Sequence, residues 1–218
     1  LGWRGKVMLR AWQDLCKAFT PEQLADLLRL AAPGFRPGHD PLDGFITEDT
    51  FDNPTQIGAF ELPEAQTVIV GTVHVRDELT ARSSKRKQYE LAKRILKSHN
   101  HNAGIFAFYD DAGRFRLSLI TVTYHGTRRQ YSSFRRYTFF VDPELPNKTF
   151  LQQMQRADFS TLTRILETFS LEAVTDEFYK EFKNKFDVLA DSVQGTENSE
   201  LKQDFALLFA IRIIFLGF

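Results

Sequence analysis

From Leu9 to Phe19 the apolar residues Leu9, Trp12, Leu15, Cys16 and Phe19 recur at helical spacing, which predicts a first helix. Residues 20–32, TPEQLADLLRLAA, predict a second, with Thr20 as N-cap, Pro21 at the first helical position and Gln23 closing a capping box. Periodicity then stops. PGFRPGHDPLDG (33–44) carries three Pro and three Gly and reads as a loop, and Asn53-Pro54-Thr55 reads as a turn. Residues 56–79 predict two strands joined at Pro63-Glu64-Ala65, the second rich in Val and Ile.

Helical spacing returns at residues 82–97, where Tyr89, Leu91, Ala92, Ile95 and Leu96 form one apolar face and Ser83 or Ser84 serves as cap. Residues 103–125 alternate as a hairpin around Asp111-Ala112-Gly113, and FRRYTFFVD (134–142) predicts a further strand. Beyond Asp142 the pattern is helical: Thr149 to Arg156, Ser160 to Thr168, and Leu171 to Val193 with Val174, Phe178, Phe182 and Phe186 at four-residue spacing. QGTENSE is a polar linker to a last, strongly apolar helix. The expected organisation is a mixed α/β domain over 1–142 and a helical connector over 143–218, without internal repeats.

Composition narrows the function classes. The 218 residues carry 28 acids and 28 bases, so nucleic-acid binding has to rest on local patches rather than on net charge. Cys16 is the sole cysteine; it excludes an intrachain disulfide and a cysteine-based zinc cluster, and it suits a reducing cytoplasm. The apolar run Phe205 to Phe218 is too short to span a bilayer and is interrupted by Arg212. The chain begins without Met and stops inside that run, which suggests a segment of something longer.

Charge is concentrated in two places. Residues 82–97 hold seven Lys or Arg against Glu90 alone, with Lys85, Arg86 and Lys87 at the start of the helix, where the helix dipole also favours an anion. TRRQYSSFRRY adds Arg128, Arg129, Arg135 and Arg136, with Tyr131, Phe134 and Tyr137 among them, a mixture suited to phosphate contacts and base stacking. The competing reading is a solvated helix and a charged strand edge that discourages aggregation.

Candidate catalytic residues are sparse. A metal-dependent nuclease of the PD-(D/E)xK kind takes an acid from one strand and Glu-x-Lys from the next, just before a helix, so that carboxylates hold a divalent ion that activates water. The order helix, hairpin, basic helix, strand fits such a fold. The residues at the Glu-x-Lys place are instead Thr72-Val73-His74-Val75, with Asp77 and Glu78 only at the strand end. If acids act in another arrangement, Asp43, Asp49, Glu61, Asp77 and Glu78 are the candidates. His99 and His101 in SHNHN have ligand-like spacing but read as a loop ending a helix. No Gly-rich phosphate loop and no Gly-x-Ser-x-Gly elbow is present.

Several segments taken together resemble one family. RSSKRKQYELAKRILK, GIFAFYDDAGRFRLSLI and FRRYTFFVD resemble the stretch before the methyltransferase core in large type IIG-like restriction–modification proteins, where an Arg-rich helix leads to a strand ending in Arg-x-Ser and then to a Lys/Arg-Arg-Tyr-Thr strand. FSLEAVTDEFYKEFKNKFDVL and ALLFAIRIIFLGF are similar to two helices that follow there. The resemblance covers Arg82 to Phe218; Tyr137-Thr138-Phe139-Phe140-Val141-Asp142 departs from the family's Tyr-Thr-Tyr-Leu-Leu-Gly. It implies a nuclease-like α/β fold, intact or degenerate, followed by a connector to a methyltransferase core beyond Phe218. It also implies a parent adenine-specific DNA methyltransferase that uses S-adenosylmethionine, with Mg2+ where restriction activity is kept. Double-stranded DNA and that core would be the partners, in a cytoplasmic, bacterial, phage-defence setting, with no membrane. A protein-interaction module without DNA contact is the remaining class.

Overall fold

Apolar alternation builds a seven-stranded mixed sheet among the described residues, and its two faces are filled differently. The structure, a computed structural model, describes residues 3–32, 34–47, 49–98, 101–126, 128–133, 137–170 and 172–216. It divides into two compact units, Leu1–Ser170 and Leu171–Phe218.

In the first unit, α1 (Trp3–Lys17) and α2 (Pro21–Ala31) precede β1 (Phe35–Pro41), β2 (Phe51–Leu62) and β3 (Gln66–Val75), which form an antiparallel meander. Helix α3 (Lys85–Ser98) then crosses over to β4 (Ala103–Tyr109), parallel to β3. β5 (Phe115–His125) returns antiparallel and pairs with both β6 (Arg128–Tyr131) and β7 (Thr138–Val141). The unit closes with α4 (Lys148–Gln155) and α5 (Leu162–Phe169). The mixed α/β class is therefore present, with mostly antiparallel pairing.

Period-two alternation sends Ile69, Val73 and Val75 to the α3 face, where they pack with Leu91, Ala92, Ile95, Leu96, Phe106 and Phe108. Val68, Val70, Thr72 and His74 lie on the opposite face. That face is aromatic: Phe150 of α4 meets Trp12 edge-on at 5.6 Å and Phe115 at 5.7 Å, and Phe60 stacks on Phe159 at 5.4 Å. Helices α4 and α5 thus fall within the first compact unit, which runs to Ser170. Cys16 is buried here, and burial pushes its thiol up to about 12, which makes it an inert packing residue.

Two expectations are corrected by the sheet. The loop of 33–44 contains β1, and Asn53-Pro54-Thr55 lies inside β2 as a bulge with Asn53 at φ 45°, where the register shifts between Asp52 and Thr55. Of the expected capping box the Thr20 half is present, Gln23 N donating to Thr20 Oγ1 at 3.2 Å. In the second unit α6 (Glu172–Ser192) carries Phe182 and Phe186 with ring centroids 6.3 Å apart, and α7 (Ser199–Leu216) packs on it. The side chains of Val174 and Phe178 lie outside the described residues.

Candidate nucleic-acid interface

Helix α3 buries Gln88, Leu91, Ala92, Ile95 and Leu96, which leaves Arg86, Lys93 and Lys97 at three- and four-residue steps with Glu90 along its outer stripe. Arg86 and Lys87 are exposed and Lys85 is half-buried. Lys87 Nζ lies 3.4 Å from Thr50 Oγ1, just before β2. The helix start is held from beneath by Arg116 on β5, whose side chain is buried. Arg116 Nη1 donates to Ser83 O (2.9 Å) and to Gln88 Oε1, and Nη2 donates to Thr80 O (2.6 Å). Its partners are neutral oxygens, so burial dominates and lowers the guanidinium to about 10.

The second cluster flanks the other end of α3, roughly 18 Å along the helix axis. Arg129 Nη1 donates to Lys97 O at 3.1 Å, and Tyr89 Oη donates to Ser132 O at 3.0 Å, so α3 and the β6 segment are fastened at two points. Between them lies a groove of about 600 Å³. Arg128 is exposed on its rim, while Lys93 Nζ sits over two rings, 5.4 Å from the Tyr89 centroid and 5.8 Å from that of Tyr131. Arg129 lies over Tyr124 at 5.7 Å. The structure therefore brings Arg128 and Arg129 beside α3; Arg135 and Arg136 lie outside the described residues.

The proposed acids do not converge. Asp43, Asp49 and Asp77 are exposed, the last two both near Arg76 but forming no metal-holding group among the described residues, Glu61 pairs with Arg36 at 3.4 Å, and Glu78 pairs with Arg114. An acid that does take part in a cluster on the sheet is Asp52, which the sequence reading passed over. It pairs across the sheet with His74, whose Nδ1 is 2.5 Å from Asp52 Oδ1 and whose Nε2 is 3.0 Å from Asp111 Oδ1. Arg76 Nε donates to Asp52 Oδ2 at 2.8 Å. Asp111 is carried on the β4–β5 turn, which Asp110 fixes by accepting from the backbone of Leu79, Ala112 and Arg114 and from Arg114 Nε.

These residues do not fit a divalent ion. Both Asp52 oxygens already face protein side chains, and Asp111 is 90% exposed. Among the described residues no group of three His, Cys, Asp or Glu is arranged to hold a metal.

Burial works to raise the Asp52 carboxyl, but the bonds and charges of Arg76 and His74 outweigh it and hold the carboxyl below its ordinary value. Because the folded value is depressed, its stabilisation is complete above the unfolded carboxyl value of about 3.9 and is lost as pH falls through the lower folded value. Urea melts of the wild type and Asp52→Asn should therefore differ by a constant amount near pH 5 to 6, and the gap should close at lower pH. A gap that persists at acid pH counts against this network.

No family model matches this chain, and no curated protein matches it. Among solved structures, one of a Methanococcus jannaschii protein assigned to the family II inorganic pyrophosphatases is similar over 66% of this chain and 40% of its own length, at 15% identity and a TM-score of 0.27. That likeness is too distant to bear on function.

Proposed function

We propose that this chain is a DNA-positioning region of a restriction–modification protein, built on a nuclease-like domain that does not cleave. The observation that carries the reading is the placement of two basic clusters at the two ends of one helix, Lys85, Arg86 and Lys87 at its start and Arg128 and Arg129 beside its end. Such contacts fix a protein on the phosphate backbone without reading sequence. The helix, meander, crossover helix and parallel strand also follow the order on which the nuclease-like reading rests.

On this reading S-adenosylmethionine serves the parent's methyltransferase core, and nothing in these residues is assigned to it. The second unit docks that core: Leu201, Phe205, Leu208, Phe209 and Ile213 are exposed on α7, an apolar surface that suits protein rather than water. No helix among the described residues is long and apolar enough to cross a membrane. A cytoplasmic place agrees with the buried free thiol.

Fluorescence anisotropy with unrelated duplexes over a range of salt tests the reading. Similar affinity for each duplex is expected, with log affinity falling linearly against log salt. Absence of binding, or binding indifferent to salt, leaves the basic residues as solvated charge and favours α7 as the functional surface.

A further inference from the structure

We infer that the groove between α3 and β6 takes one unpaired nucleotide of the bound DNA, its base stacked on tyrosine and its phosphate at the arginine rim; the inference rests on the DNA-binding reading above. A volume of about 600 Å³ lies within the range of roughly 300–1,000 Å³ usual for small-molecule sites, far more than a phosphate alone needs. The lining supplies both halves of a nucleotide. Lys93, Arg128 and Arg129 are cationic, and among the described residues no carboxylate lines the groove; nearby Glu90 is engaged with Lys93 at 3.4 Å.

The orientation of the rings decides between a phosphate cleft and a base site. Lys93 Nζ stands over both Tyr89 and Tyr131, so each ring turns toward this groove-lining lysine a face that the ammonium covers, and a stacking base takes the ammonium's place there. Ring faces are what a base stacks on, and every base has one, so such a site is tolerant of sequence. A paired base has its faces covered by its neighbours in the stack, which is why the ligand is an unpaired nucleotide.

The site is also held in place before binding. Tyr89 is fixed by its bond to Ser132 O, and Ser132 is itself tied to β5 through Thr121, with Ser132 N donating to Thr121 O and Thr121 N donating to Ser132 Oγ, both at 3.0 Å. Tyr131 packs against the α3 core cluster, with its hydroxyl buried and unpartnered. Its ring, rather than its hydroxyl, is therefore what the fold retains there.

The test compares a blunt duplex with the same duplex carrying a short single-stranded extension, and with that extension made abasic. The extension is expected to tighten binding roughly 5- to 100-fold, and the abasic extension to give no such gain, since it keeps the phosphates and lacks the bases. Tyr131→Phe should retain the gain. Tyr131→Leu, which keeps the apolar contact with α3, should abolish that gain, read as the ratio of extended-duplex to blunt-duplex affinity within the same variant; Tyr131→Ala should do the same where melting shows it folded. An equal gain from the abasic extension, or a gain that survives Tyr131→Leu, overturns the proposal. If blunt duplex binds normally and the extension adds nothing, the groove proposal fails alone. If only the extended DNA binds, the duplex reading fails and the groove stands.

Discussion

Replacing Lys85, Arg86, Lys87, Arg128 and Arg129 together with alanine is expected to flatten the salt dependence of DNA binding by about 4 to 5 in log–log slope, at about 0.9 per phosphate contact. At low salt the same replacement should cost roughly 1,000-fold or more in affinity, and it should do so for every duplex alike. The size follows from position rather than from composition. The chain is neutral overall, so a polyanion is attracted only where cations are gathered, and α3 gathers them at both ends. Arg86, Lys87 and Arg128 are exposed, so their loss leaves the core untouched. Arg129 is different, because its bond to Lys97 O helps hold β6, and the variant's melting temperature has to be read beside its affinity. Neutralising Lys180, Lys183 and Lys185, exposed on α6, removes three positive charges from the second unit and none from α3 or β6. That control should leave the slope unchanged. If both variants flatten it equally, the interaction is a diffuse response to net charge and no particular surface is involved.

The parts of the fold that local pattern could reveal were those whose partners lie close in sequence or whose alternation is strong. β3, α3 and the β4–β5 hairpin carry their own periodicity, and the turn at Asp111 to Gly113 closes as its Gly113, at φ 77°, requires. β1 carries none, because only Phe35 of its residues is buried. Its prolines are tolerated since it is an edge strand that need donate on one side only. The bulge at Asn53 hid the start of β2 and with it Asp52, whose role depends on pairing with His74 across the sheet. That pairing is set by register over a distance in sequence, which no local window contains. A signal was available: a lone acid at the head of one strand and a His on its neighbour invite a register test. Likewise, α4 and α5 look like connector helices until the aromatic contacts of Phe150 and Phe159 with the sheet unit are seen. Charge was legible in sequence; its arrangement around one helix was not, since Arg129 meets Lys97 only in the fold.

Arg116→Ala should destabilise the first unit by about 3 kcal/mol, which corresponds to a fall of roughly 6–12 °C in melting temperature for a domain of this size. The substitution removes a buried cation and takes a donor from Ser83 O, Gln88 Oε1 and Thr80 O, of which Thr80 O keeps the bond from Ser83 Oγ at 3.3 Å. Lysine is not a substitute, because a single ammonium lacks the planar fork that reaches Ser83 and Thr80 together. Arg116→Met keeps most of the volume beside Phe140 and should cost less than alanine, though Ser83 O and Gln88 Oε1 still lose the donor that Arg116 supplies. The functional consequence separates this arginine from an ordinary core residue. Thr80 and Ser83 form the turn that enters α3, with Ser83 N donating to Thr80 Oγ1 at 3.0 Å and Thr80 N to Ser83 Oγ at 2.7 Å. Once that turn is untethered, the first turn of α3 frays, and Lys85, Arg86 and Lys87 lose their fixed positions. DNA affinity should therefore fall in Arg116→Ala at temperatures well below its melting point, although Arg116 itself is buried and reaches no ligand. Hydrogen exchange at the amides of residues 85–88 provides the separate readout, expected to speed up in the variant. A variant that melts early yet binds DNA as the wild type does would show that the start of α3 does not need this anchor, and that the basic residues there act by charge without fixed geometry.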